Sequence, residues 1–149
     1  MYLVSPLLLA PAGWNCLRTM VTLPKQRRVL REFKERGAIV WDGTSMPVLG
    51  ILFPMGDCTD EDIERLGPVT DLHIAAFCGN EITDAGIAQL IRFSRLENLS
   101  LASIGITDHS EAPLSRLSHL RSLCLYGTSL TEEAIERLRA KLPHCQILA

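Results

Sequence analysis

Four copies of a short motif stand at one interval along the chain. Cys58-Thr59-Asp60, Ile82-Thr83-Asp84, Ile106-Thr107-Asp108 and Leu130-Thr131-Glu132 place their threonines 24 residues apart (83−59, 107−83, 131−107). An interval of that size requires one supersecondary unit repeated in tandem, because each unit can bury its apolar face only against its neighbours. The interval also holds upstream of the motif. Val48, Leu72, Leu96 and Leu120 are in phase, as are Ile51, Ala75, Leu99 and Leu123, then Phe53, Phe77, Leu101 and Leu125. Gly56, Asn80, Ile104 and Thr128 form a fourth column.

Local chemistry predicts what one unit contains. Alternation at Leu99-Ser100-Leu101 and Leu123-Cys124-Leu125 puts two large apolar groups on one face of a short strand. Threonine suits a helix N-cap, and the acidic residue after it complements the positive end of the helix. Thr59-x-x-Asp62 approximates a capping box. Apolar spacing then becomes helical: Ile63, Leu66, Val69; Ile87, Leu90, Phe93, Leu96; Ile135, Leu138, Leu142. A unit is therefore strand, turn and helix, with successive strands parallel. The third unit departs from this, with Glu111 where the others have isoleucine and Pro113 just after it. The expectation there is a helix restarted late, with Ser110 as its new cap and Leu114, Leu117 and Leu120 resuming the apolar face.

Written out, the second unit is Leu72-x-x-Ala75-x-Phe77-x-x-Asn80-x-Ile82 and the third is Leu96-x-x-Leu99-x-Leu101-x-x-Ile104-x-Ile106. These resemble the leucine-rich repeat signature L-x-x-L-x-L-x-x-N-x-L. In particular they look like the short bacterial-type, ribonuclease-inhibitor-like units reading L-x-L-x-x-T-x-I-T-D-x-G-L. The resemblance runs from roughly Val48 to Ala149, and Leu142-Pro143-His144-Cys145-Gln146-Ile147 resembles the last helix, proline and final strand of such an array. It implies an α/β solenoid with parallel strands on a concave face and helices on a convex one. It also implies that the curved surface is presented to another macromolecule. On this register the concave face is expected to carry Leu52, Met55, His73, Ile74, Ala76, Asn98, Ser100, Arg121, Cys124, Tyr126, Gln146 and Leu148. Tyr126, Arg121 and His73 are its leading contact residues, since aromatic and arginine side chains dominate interface hot spots.

Upstream of the repeats the chain changes character, and the expected division is residues 1–23, 24–47 and 48–149. Residues 1–23 are apolar, with Arg18 the only charge and with Pro6, Pro11 and Gly13 interrupting any helix. Tyr2–Trp14 is too short for a bilayer-spanning helix, which needs about 20 apolar residues. Ala10-Pro11-Ala12 has the small-x-small form of a signal cleavage site, but no Lys or Arg precedes it. Export or membrane association through this segment stands beside an unprocessed apolar extension. Lys25–Arg36 is a basic helical run, with Val29, Leu30 and Phe33 at helical spacing and Gly37 placed to end it; the strand-like Ala38-Ile39-Val40-Trp41 follows. A helix and strand here suit the cap that the open end of a solenoid needs. The alternative is a positive face directed at anionic lipid or an acidic partner.

Charge divides the chain the same way. Residues 1–37 hold seven basic and two acidic groups, net +5, whereas residues 38–149 hold eight and fifteen, net −7. An acidic array argues against nucleic acid as a partner of the repeats. The 5 cysteines, Cys16, Cys58, Cys78, Cys124 and Cys145, are odd in number and lack a C-x-x-C pair, so neither a disulfide framework nor a zinc motif is indicated. They are expected to be buried, reduced thiols, which favours a reducing, cytoplasmic setting.

His73, His109, His119 and His144 are scattered, and no H-E-x-x-H, phosphate loop or G-x-S-x-G is present. The acidic group Asp57, Asp60, Glu61, Asp62 and Glu64 lacks calcium-loop spacing and is expected at a helix start. The sequence thus points to no catalytic residue, cofactor or metal. The expected function is non-enzymatic binding of a protein partner through the concave sheet. Two alternatives are a membrane-peripheral or anchored scaffold using residues 1–37 and, from the resemblance alone, a substrate receptor of a ubiquitin-ligase-type assembly.

Overall fold

The structure is a computed structural model and describes residues 24–42, 49–53 and 58–149. The readings made on residues 1–23, on residues 43–47 of the cap, and on Val48, Met55, Gly56 and Asp57 lie outside the described residues.

Helix α1 (Pro24–Glu35) leads into strand β1 (Ile39–Asp42), and the repeating part follows. Its strands are β2 (Leu49–Leu52), β3 (Leu72–Cys78), β4 (Asn98–Ala102), β5 (Ser122–Cys124) and β6 (Gln146–Leu148). Between them run α2 (Asp60–Arg65), α3 (Asp84–Gln89) with a 3-10 continuation at Leu90–Arg92, α4 (Glu111–Ser115) and α5 (Glu132–Lys141). The six strands form one sheet in chain order. β2 to β6 pair in parallel, and β1 closes the N-terminal edge antiparallel to β2. This is an α/β solenoid of the leucine-rich repeat type with a helix-strand cap.

The core lies between the sheet and the helices, and the apolar columns build it. Ile51, Ala75, Leu99 and Leu123 are direct neighbours across the strands, and all four are buried, as are Phe53, Phe77, Leu101 and Leu125. Leu72, Leu96 and Leu120 are buried as well. Their partner in the first unit is Leu49, because a bulge sets Leu49 opposite Leu72 and Gly50 opposite Ile74, so the sheet register skips His73. The fourth column does not join the core: Asn80 and Ile104 are exposed. Buried Ser103 instead serves the loop backbone, its hydroxyl donating to the Ile82 carbonyl at 2.7 Å and accepting from the Gly105 amide at 3.2 Å.

All four threonines are N-caps, each accepting from a first-turn amide. The aspartate beside each of the first three threonines does more than answer a helix dipole. Asp60 accepts from the Thr83 amide (2.8 Å) and hydroxyl (2.6 Å), Asp84 does the same for Thr107 (2.9 and 2.6 Å), and Asp108 for Thr131 (2.7 and 2.8 Å). Each carboxylate thus fastens the next unit's helix start. Gly86 makes room for this, since a Cβ there would stand 2.1 Å from Asp60 Oδ1.

Both ends of the ladder depart from this pattern for physical reasons. Thr59 has its own Asp62 in place of a preceding unit's aspartate: a complete capping box, with the Thr59 amide donating to Asp62 Oδ2 at 3.2 Å. Asp62 is buried and takes both terminal nitrogens of Arg36 from the cap. Burial pushes its carboxyl up, but the Arg36 and Thr59 hydrogen bonds outweigh that and hold it below the ordinary value. At the other end, beyond the last Thr-Asp rung, the ladder residue is Glu132, which pairs with Arg139 of its own helix at 3.3 Å.

The cap closes the N-terminal end of the core. Leu30 and Phe33 of α1 are buried, and the rings of Phe33, Phe53 and Phe77 form a chain with centroids 5.1 and 5.7 Å apart. Gly37, at φ +91, supplies the left-handed residue that ends α1.

In the third unit the α-helix starts late, at Glu111, with Ser110 in its N-cap position, but the Ser110 side chain makes no cap bond. Thr107 caps a 3-10 turn over Asp108–Ser110 that runs straight into α4, and the Ser110 hydroxyl donates to Asp84. Leu114, Leu117 and Leu120 are buried as expected. Glu111, replacing the core isoleucine, is pinned by Arg137 and Lys141 of α5, both at 2.7 Å.

Candidate interaction surface

Strand alternation sends every second side chain away from the helices, and parallel pairing lines these side chains up in rows. One row is Trp41, Gly50, Ile74, Asn98, Ser122 and Gln146; the next is Ile39, Leu52, Ala76, Ser100, Cys124 and Leu148. Cys78 and Ala102 begin a third, and Tyr126 stands just beyond Cys124 at the end of β5. The rows carry no charged side chain. Ile39 is 50% exposed, Tyr126 58% and Leu148 40%, so large apolar surface faces solvent at both sides of a floor of small residues.

Nine of the expected face residues stand on these rows: Leu52, Ile74, Ala76, Asn98, Ser100, Cys124, Gln146 and Leu148, with Tyr126 at the strand end. Met55 lies outside the described residues. His73 and Arg121 fall elsewhere: the bulge shifts His73 off the rows, and Arg121 precedes β5. Sequence reasoning missed Ile39 and Trp41. Both belong to the antiparallel cap strand, where the 24-residue period does not apply. A Cβ on Gly50 would lie 2.7 Å from Trp41 Cε3 and 3.2 Å from Ile74 Cβ, so glycine at this position admits the indole.

The strand-start margin has different chemistry. His73, Glu97 and Arg121 occupy equivalent positions in successive units, as do Asp71, Arg95 and His119. Arg121 Nε lies 3.2 Å from Glu97 Oε2, and Arg95 Nη1 lies 3.2 Å from Asp71 Oδ1. His73, Ser94, Arg95, Glu97, His119 and Arg121 line an open cleft of ≈ 510 Å³.

The cysteines are not uniformly buried. Cys58 occupies the core column and burial pushes its thiol up to about 12, but Cys78, Cys124 and Cys145 are only partly covered. Burial also raises Cys145 to about 11 and raises Cys78. The Cys58, Cys78 and Cys145 thiols are therefore protonated near neutral pH and are weak nucleophiles. Cys16 lies outside the described residues. Among the described residues no three His, Cys, Asp or Glu side chains converge to hold a metal ion, and no helix is long and apolar enough to cross a membrane.

No family model matches the sequence, and no match was found among curated proteins. Among solved structures, a leucine-rich repeat protein of Leptospira interrogans aligns with 56% of this chain at 18% identity and a TM-score of 0.41. The aligned part is 21% of that protein's chain.

Proposed function

We propose that this chain is a non-enzymatic interaction module that holds a partner protein on the outward face of its sheet. The observation that carries the reading is the uncharged double row, apolar at Ile39, Trp41, Leu52 and Ile74 and again at Leu148, with Tyr126 beside it. Burying such a surface is favourable at about 25 cal/mol per Å² of apolar area. The small residues between, Ala76, Ser100 and Ala102, let a partner's backbone approach. On this reading residues 24–47 are the cap, residues 48–149 the binding array and residues 1–23 an extension. Capture from native extract with the full chain is expected to retain a partner. Tyr126→Ala and Ile74→Asp variants with unchanged circular dichroism should lose it by at least tenfold; equal capture by both would refute the reading.

A second reading is favoured by α1, where Lys25, Arg27, Arg28, Arg31 and Lys34 are all exposed. Leu30 and Phe33 of the same helix are buried in the core, so α1 would meet an anionic membrane through its charges. Vesicle co-sedimentation tests it: binding should require anionic lipid and vanish at high salt. Binding to neutral vesicles would contradict it.

A further inference from the structure

We infer that the cleft at the strand-start margin is a carboxylate-binding anchor that takes an acidic side chain of a peptide partner. The proposal rests on the reading of this chain as an interaction module and adds a second, chemically distinct part to it.

The repeats are acidic, at net −7 over residues 38–149, yet this cleft gathers two arginines and two histidines. Their spacing follows from the coil. In one column His73, Glu97 and Arg121 follow at 24-residue steps, and in the next Asp71, Arg95 and His119, so each arginine stands beside one carboxylate of the preceding unit. Those carboxylates sit lower than the cations they serve. Glu97 is 20% exposed against 64% for Arg121, and Asp71 is 42% exposed against 53% for Arg95. The groups presented outward are therefore the guanidiniums, and His73 and His119 complete the lining. A guanidinium carries five N–H donors in a planar fork. Arg121 pairs with Glu97 and Arg95 with Asp71, and one carboxylate accepts from at most two of the five. Donors remain in the geometry that receives a carboxylate.

The choice of ligand follows from charge. The charges of Arg95 and Arg121 are balanced by Asp71 and Glu97, so one incoming monoanion gains two directed partners at modest repulsion. A dianionic phosphate would face the same two carboxylates with twice the charge. A basic peptide would meet the guanidinium groups first.

The test uses the full chain and a short fluorescein-labelled Glu-rich peptide, with Gln-rich and Lys-rich counterparts, followed by anisotropy at low salt. The Glu-rich peptide should bind and the others should not, and Arg95→Gln/Arg121→Gln should weaken binding at least tenfold. Two-dimensional NMR should show the Arg95 and Arg121 Nε–H signals moving on addition of the peptide. Tyr126→Ala should leave this binding intact, which separates the anchor from the sheet face. Equal binding of the Gln-rich peptide, unmoved arginine signals, or stronger displacement by inorganic phosphate than by acetate would overturn the proposal.

Discussion

The two margins of the sheet carry polar side chains in the same 24-residue rhythm and use them in opposite ways. At the strand-end margin each Asp is consumed by the next unit's Thr, amide and hydroxyl together. At the strand-start margin the arginines of the cleft each pair with one carboxylate and remain more than half exposed. Periodic polarity is therefore not one signal. Where the groups satisfy each other the repeat maintains the solenoid, and where they face outward it is available to a partner.

The sharpest way to break this contrast is to remove one rung from each margin. Asp84→Ala deletes the acceptor for the Thr107 amide, the Thr107 hydroxyl and Ser110, and should cost about 2–4 kcal/mol in urea unfolding, since hydrogen bonds to charged groups contribute about 1.5–3 kcal/mol each and are not additive. Arg121→Ala should cost no more than about 1 kcal/mol, the range of exposed ion pairs. Similar losses for the two variants would erase the distinction.

Acid titration sharpens the same point. Burial raises the Asp62 and Asp84 carboxyls, but hydrogen bonds outweigh it and hold both below the ordinary value: from Arg36 and Thr59 in the first, from Ser110 and Thr107 in the second. A carboxyl depressed in the folded state contributes stability in full above its unfolded value of about 3.9 and loses it as pH falls through the folded value. Unfolding free energy should therefore decline below about pH 4. Asp62→Asn should flatten that acid limb; an unchanged limb would contradict the Arg36 and Thr59 bonds as its source.

Glycines give a smaller contrast. Gly86→Ala drives a methyl into the Asp60 carboxylate, whereas at Gly37 the space is open and only the positive φ opposes a side chain. Thermal unfolding should show the larger drop for Gly86→Ala, with Gly37→Ala costing about 1 kcal/mol. The reverse order would argue against the aspartate ladder as the tighter constraint.

Much of the fold was legible because a tandem unit writes its contacts into the sequence at one spacing: the buried columns, the four threonine caps and the Thr59-Asp62 box could all be read. What escaped reading depends on partners at other separations. The Asp60-to-Thr83 bonds look, in sequence, like helix-start acidity. Ser110 looked like a cap because a hydroxyl before a Pro-bearing helix commonly is one, but Asp84 of the preceding unit claims it. Ile39 and Trp41 reached the sheet face through antiparallel pairing with no period, and a single bulge at Leu49/Gly50 moved His73 from that face to its margin.

The most direct test of the central claim compares photo-crosslinking from matched positions in native extract. A benzophenone side chain at Ser100 or Ala102, on the sheet face, should yield a discrete protein adduct that unlabelled chain competes away. The same group at exposed Ala140 on α5 should yield none. Adducts from Ala140 with none from Ser100 or Ala102 would contradict the account and move the partner to the helical side.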